Sequence, residues 1–405
     1  MLSWEHSPGL KAMRRDRAWV EIDLQALAQN VRQIRQLLAP KTELMAVVKA
    51  DAYGHGAVTI ARTALQHGAT WLGVATIPEG IELREAGIDA PILLLGATNT
   101  SEQARAIARW QLQPTLCTAK QVLIFAETVM QPIPVHLKLD TGMSRLGAPW
   151  QETAAFAELV TRSPHLQIAS VYSHLATADD PDPTIMRQQQ WRYEQAIASL
   201  RQLGIVPPRL HLANSAATLT DRSLHYDLVR TGLAIYGLHP AAHLQQTVAA
   251  QTGGSGLQPV MQIKARVTQV KTIAAGTGVS YGHKFIADRD LTLATVAIGY
   301  ADGIPRNLSN QMEVLVRGVR VPQVGAITMD QIMLDVSAVP DLQEGEVVTL
   351  IGQDGSDRIT ADDWATKLDT ISWEILCSFK HRLPRLSINR PTLREQAVQT
   401  QGGYL

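Results

Sequence analysis

The chain has 405 residues, too many for one ordinary core, so two domains are the default. Lysine plus arginine and aspartate plus glutamate balance at 37 each, which removes the electrostatic footprint expected of a nucleic-acid or anionic-membrane binder. Cys117 and Cys377 lie far apart, so neither a disulfide scaffold nor a thiolate metal centre is expected, and no metal site is read.

Residues 1–16 read as an N-terminal extension. Glu5, Lys11, Arg14, Arg15, Asp16 and Arg17 interrupt the start of the chain with charge. No secretory signal or membrane span is expected, and the cytoplasm is the simplest address. Residues 17–23 alternate like a strand, and Asp23 is placed to cap a helical pattern over 24–38. A strand–helix rhythm follows, with short apolar runs at 44–49, 71–75, 91–95, 113–116, 134–139, 168–174, 209–213 and 227–230. Amphipathic stretches such as 101–110, 118–130, 151–162 and 184–203 separate most of them. Eight strands joined by helices, without a GxGxxG fingerprint, predict an α/β fold: an N-terminal (β/α)8 TIM-type barrel over 17–250. The last two helices are the weakest patterns.

Gly253, Gly254 and Gly256 break the rhythm and mark a boundary. Beyond it the period changes to two, with strands expected at 260–270, 291–299, 313–324, 331–336 and 346–351, and a helix at 362–368. A mainly β C-terminal domain over 251–388 is therefore expected, followed by a polar tail over 389–405.

Chemistry concentrates at the barrel strand exits. Ala46–Gly56 reads Ala-Val-Val-Lys-Ala-Asp-Ala-Tyr-Gly-His-Gly, with Lys49 ending an apolar run and Gly54 and Gly56 turning the chain into a helix over 57–67. A desolvated lysine loses its charge more easily and then attacks carbonyls, whereas an ordinary strand-end lysine snorkels to water. Asp140–Arg145 follows the fifth run, His174 ends the sixth, Asn214-Ser215 follows the seventh and Arg230-Thr-Gly232 the eighth. Five polar exits on one face are difficult to explain as packing. Ser215 and Gly232 suit a phosphate, and Lys49 an aldehyde, so pyridoxal phosphate fits; an aldolase-type sugar phosphate fits the same two features. Arg230 separates them: an arginine facing a pyridine nitrogen keeps its proton, weakens the ring as an electron sink and suits simple proton removal and return.

Ala46–Gly56, with Asp140–Gly147, His211–Ala216, Val229–Gly237, Ser280-Tyr-Gly282, Ile298–Gly303 and Met329-Asp-Gln331, resembles the alanine racemase family from about Arg17 to Leu386. The resemblance implies a barrel joined to a β domain, pyridoxal 5′-phosphate, a homodimer, and interconversion of L- and D-alanine for peptidoglycan. Lys49 then matches the cofactor-bonded lysine and the base on the D-alanine side. Tyr281 matches the base on the L-alanine side, and Tyr281 and Met329 enter the site from the partner subunit. His174 is matched to Tyr281 and to Arg230, and Arg145 to the cofactor phenolate and the substrate carboxylate. Lys138 matches a lysine often carbamylated to orient Arg145; the ordinary alternative is a pair with Asp140. Tyr53, Asn214, Ser215, Gly232 and Leu233 match cofactor contacts, while Tyr300, Arg306 and Asp330 match supporting residues at the entrance. Trp191 and His211 are expected to serve in packing and in supporting the residues that touch the cofactor.

Two positions depart from many relatives. Trp373 stands in place of a tyrosine among the cofactor contacts, and indole offers an N–H but no hydroxyl acceptor. Thr328 stands in place of a cysteine. The readings weighed against alanine racemase are a racemase of another small amino acid such as serine, and a non-catalytic pyridoxal-phosphate binder. The second lacks any counterpart of residues 260–386.

Overall fold

A computed structural model describes residues 16–251, 256–379 and 381–391. Glu5, Lys11, Arg14, Arg15, Gly253, Gly254 and the tail from residue 392 lie outside the described residues. The chain divides into two compact units, one of residues 26–52 and 56–258, the other of the remaining described residues.

The first unit is the barrel. Strand β1 (Ala18–Asp23) precedes it, and its eight parallel strands are β2 (Glu43–Val47), β3 (Trp71–Val74), β4 (Ile92–Ala97), β5 (Gln113–Leu116), β6 (Ile133–Asp140), β7 (Leu166–Tyr172), β8 (Leu210–His211) and β9 (Leu228–Thr231). They pair in the order β9-β2-β3-β4-β5-β6-β7-β8. The ring closes through Asp227 N–H to the Leu210 carbonyl (3.0 Å) and Arg230 N–H to the Ala213 carbonyl (3.1 Å). Met45, Trp71, Leu93, Tyr172 and Leu228 form one buried cluster of this wall.

Three helix starts share one device. Thr76, Thr100 and Thr118 each stand three residues before a Glu or Gln whose side-chain oxygen turns back to the N-terminal backbone. Glu79 accepts from the N–H groups of Ala75 and Thr76, Gln103 from Asn99 and Thr100, and Gln121 from Cys117 and Thr118. The spacing satisfies donors that a helix start leaves unpaired. The last two barrel strands are followed by short pieces: a six-residue helix, Ser215–Thr220, with a 3₁₀ turn at Arg222–Leu224, and then a 3₁₀ turn at Leu233–Tyr236 before a helix at Leu244–Gln251.

The second unit is a mainly β domain. Strand β10 (Met261–Ile273) organises it, pairing antiparallel with β1, β11 (Leu291–Val296) and β15 (Val347–Asp354). Strand β1, grouped with the barrel by a sequence boundary at residue 17, lies in this sheet, where it also pairs parallel with β16 (Arg385–Ile388). The single strand expected over 313–324 is a hairpin of β12 (Glu313–Val316) and β13 (Val319–Pro322), and β14 (Ile332–Asp335) borders β11. The reason is the turn Arg317-Gly318, at φ 51° and 76°: two left-handed residues that reverse a twisted ribbon. A second helix, Ser372–Ser378, follows the expected one at Ala361–Leu368.

Asp302 anchors this unit. Its carboxylate is fully buried, accepts both terminal nitrogens of Arg17 at 2.6 and 2.8 Å, and takes the Gly299 N–H at 3.0 Å. Removing one partner of such a pair strands the other, although Arg17 retains some solvent. Asp302→Ala is expected to lower stability by about 2–3 kcal/mol, read as a lower midpoint in urea. A midpoint equal to wild type would mean that the pair is energetically neutral.

Candidate active site

Lys49 follows β2 by two residues, at the exit of the strand. The chain then makes a left-handed turn rather than a glycine-driven bend. Ala50, Asp51, Ala52 and Tyr53 all have φ between 51° and 55°. Each L-residue in that region costs roughly 1–2 kcal/mol, so the turn needs outside support. Ala50 N–H donates to Glu79 Oε1 at 2.8 Å, Ala57 N–H to Asp51 Oδ1 at 2.8 Å, and Gly56 N–H to the Asp51 carbonyl at 2.9 Å. Glu79 therefore serves two elements: one oxygen caps its own helix and the other pins the turn beside Lys49.

Arg230 is 3% exposed and lies within β9, not beyond it. Its terminal nitrogens donate to the carbonyls of Ser173 (2.8 Å) and Leu212 (3.1 Å), to His211 Nδ1 (2.9 Å) and to His174 Nδ1 (3.2 Å). A guanidinium can only donate, so both imidazoles accept through Nδ1 and carry their proton on Nε2. Burial pushes Arg230 down to about 10, which leaves it charged at neutral pH. Burial and then the neighbouring cations Arg230, Lys138, Arg145 and Lys49 hold His174 well below the usual imidazole range, so it is neutral.

Lys138 is buried, with Nζ 5.4 Å from the Tyr172 ring centroid; Arg230 lies 5.2 Å from the same ring. Burial, and then Arg230, Arg145 and Lys49, push the Lys138 ammonium down to about 8. The pair with Asp140 weighed from sequence does not form: Asp140 Oδ1 instead accepts from the N–H groups of Gly142 and Ser144 and shapes the loop leading to Arg145. The barrel mouth thus gathers Lys49, Lys138, Arg145 and Arg230 in one another's field, and no carboxylate is among the causes shifting Lys138 or His174.

On β9's exit, Gly232 N–H and Ala234 N–H both point to Ser215 Oγ, at 3.0 and 3.3 Å. The Asn214 side-chain oxygen caps the helix that Ser215 begins. Leu233 starts the following 3₁₀ turn. The donor set, an amine, three further cations and N–H groups around a hydroxyl, fits a phosphorylated aldehyde.

Within the β unit, Tyr281 is 73% exposed and Met329 53%. Tyr300 is exposed, as are Arg306 and Asp330, and Asp330 accepts from Arg382 at 2.7 Å. Trp373 is half-buried on Ser372–Ser378. The phenol of Tyr53, which clusters with this unit, is pushed up to about 12 by burial and the nearby Cys377, and so remains a donor.

Sequence reasoning missed Tyr172, whose ring stacks on His211 (centroids 4.6 Å, planes 5° apart) and faces both Arg230 and Lys138. It also missed Gln189, which donates to the His174 carbonyl and accepts from Ala176 N–H. Tyr172 ends β7 but belongs to no recognisable motif, and Gln189 lies inside the helix Thr184–Gln202.

These features define a barrel protein whose strand exits gather cationic groups and phosphate-type donors around a lysine. Residues 22–240 match the family model described as alanine racemase, N-terminal domain, and 260–387 that of the C-terminal domain. The chain is 67% identical to an alanine racemase of Nostoc sp. over 92% of its own length and 96% of that protein's. It is 61% identical to one from Synechocystis sp., over 93% and 100%. The crystal structure of alanine racemase from Bacillus anthracis with bound L-Ala-P superposes with a TM-score of 0.86 at 35% identity, covering 92% of this chain and 95% of that one. The chain belongs to the alanine racemase family, and its activity is that of an isomerase acting on alanine. The readings as a racemase of another amino acid or a non-catalytic binder are set aside. Among the described residues no helix is long and apolar enough to cross a membrane.

Glu79→Gln tests the turn. Glutamine keeps the helix cap but presents an N–H2 group to Ala50 N–H. The bond is exposed, so water can replace it, and a loss of about 0.5–1.5 kcal/mol, the net worth of one hydrogen bond, is expected in unfolding free energy, with unchanged circular dichroism. Wild-type stability would show that the turn holds itself.

Proposed function

We propose that the barrel mouth binds pyridoxal 5′-phosphate and that Lys49 and Tyr281 are the two bases of a two-base racemisation. The observation that carries this reading is the gathering of Lys49, Lys138, Arg145 and Arg230 at the mouth, close enough that the other three all lower the Lys138 ammonium. Such a cluster calls for an anionic occupant. Lys49 would hold the cofactor through its aldehyde. Tyr53, Asn214, Ser215, Trp373 and the backbone of Gly232 and Leu233 would hold the phosphate, and Arg230 would face the ring nitrogen. When bound, the cofactor supplies the electron sink that makes the α-proton of alanine acidic.

The protein's own groups do the proton transfers. Inversion needs one base to remove the α-proton on one face and another to deliver a proton on the opposite face. Lys49 Nζ serves the D-alanine side and Tyr281 Oη the L-alanine side. A phenol is a poor base until its anion is stabilised. His174, neutral and protonated at Nε2, offers that donor. Arg145 binds the substrate carboxylate, and Tyr300, Arg306 and Asp330 shape the entrance. The exposure of Tyr281 and Met329 supports a homodimer in which they complete the partner subunit's site. The product D-alanine serves peptidoglycan, and the enzyme works in the cytoplasm.

Proton NMR of L-alanine in D2O with cofactor-loaded protein should show α-deuterated D-alanine. Tyr281→Phe should lower the rate by about 10³-fold without loss of the cofactor's absorbance. Retention of the α-proton by the wild-type protein would overturn the reading.

Lys138 should carry a carbamate, because only a neutral amine adds CO2 and its ammonium is held near 8. The neutral fraction grows as pH rises through that value. With ¹³C-bicarbonate, a carbamate carbon signal should therefore increase from pH 7 to 9 and be absent in Lys138→Met. A signal that declines with pH, or survives the substitution, would rule out this site.

A further inference from the structure

The barrel interior buries two histidines and a serine that the proposed proton transfers do not use. Ser170 Oγ lies 2.6 Å from His136 Nδ1 and 2.8 Å from His211 Nε2. His211 Nδ1 meets Arg230 at 2.9 Å, and His136 Nε2 meets the side-chain oxygen of Gln113 at 2.8 Å. The five residues come from β9, β8, β7, β6 and β5 in turn, one from each adjacent strand. They form a belt around half of the barrel wall.

Chemistry gives this belt one direction. Arg230 has no acceptor, so His211 accepts at Nδ1 and donates from Nε2 to Ser170. The serine hydroxyl, having accepted from His211, places its own proton on His136 Nδ1. His136 is then protonated at Nε2 and donates to Gln113. A proton added to either imidazole would set N–H against a donor or strand the serine proton. Burial opposes that addition: it holds His136 down to about 3 and His211 well below the usual range, with Arg209 adding to the effect at His136. Tyr172, stacked on His211, fixes the plane in which that ring can bond.

We propose that Ser170 and His136 are positioning residues for Arg230, the hydroxyl bridge locking His211 in the one tautomer that accepts the guanidinium. The proposal rests on the reading of Arg230 as the group facing the cofactor ring. Without the bridge, His211 Nε2–H loses its acceptor. The ring is then free to move its proton to Nδ1, directly against Arg230, and the guanidinium must shift.

The test is ¹⁵N NMR of histidine-labelled, cofactor-loaded protein. In wild type, His211 and His136 should each show a single Nε2–H tautomer, unchanged from pH 6 to 9. Ser170→Ala should convert His211 to a tautomer mixture. It should also lower kcat about tenfold, the scale of one buried hydrogen bond, with KM within about twofold and a displaced cofactor absorption band. Ser170→Thr, which keeps the hydroxyl, should restore the wild-type tautomer. An Nδ1–H tautomer or an imidazolium at His211 in the wild type overturns the proposal without any variant. So does Ser170→Ala with unchanged tautomers and kcat. Because the tautomer is read independently of turnover, a protein that fails to racemise alanine would overturn the proposed function and still leave the belt decided.

Discussion

A permanent charge inside the barrel wall is the constraint on which this site depends. Taking a guanidinium out of water costs several kcal/mol unless its donors are met. Among the described residues, Arg230 is met by no carboxylate in an ion pair. Two carbonyls, two imidazoles and the face of Tyr172 share the task. Each is thereby committed: the carbonyls of Ser173 and Leu212 turn inward, and His174 and His211 stay neutral with their protons on the far nitrogen. Neutral acceptors satisfy the donors without cancelling the charge, and Arg230 is felt at Lys138, whose ammonium it lowers together with Arg145 and Lys49.

The same economy governs the backbone at Lys49. Four left-handed residues are unfavourable anywhere, and they occur where the chain must leave β2 and present its lysine in a set direction. The support comes from a neighbour's helix start. Three such starts use the same threonine-plus-three device, but only Glu79 has a second acceptor oxygen to spend on Ala50. Gln103 and Gln121 need only one oxygen, and Gln121 uses its amide nitrogen to bond Asn99. The choice between Glu and Gln follows from how many backbone N–H groups converge.

Much of the fold was legible because its periods are strong. All eight barrel strands and the major helices lie where apolar runs and amphipathic stretches place them, within a few residues. The errors have local causes. Arg317-Gly318 hides a tight turn inside a continuous β pattern, since arginine is not a usual turn residue. Ser372–Ser378 is short and mostly apolar, so its period does not declare a helix. Strand β1 shares the alternation of any half-buried strand, and nothing local says which sheet it joins. At the site, exits marked by Lys49, Arg145, His174, Ser215 and Arg230 stood out because polar groups beside apolar runs are rare, whereas Lys138 was reached only through the family resemblance. Tyr172, Ser170 and Gln189 did not, because a tyrosine or serine in a strand and a glutamine in a helix are common.

The sequence by itself determined the order of strands and helices, the polar strand exits and the family, because each depends on residues adjacent in the chain or on recurring motifs. Tertiary structure alone decided which nitrogen of each histidine carries the proton, why Asp140 turns to its own loop instead of to Lys138, and how Glu79 comes to hold Ala50. Those outcomes depend on donors and acceptors brought together from strands and helices tens of residues apart, and a hydrogen bond acts only over about 3 Å.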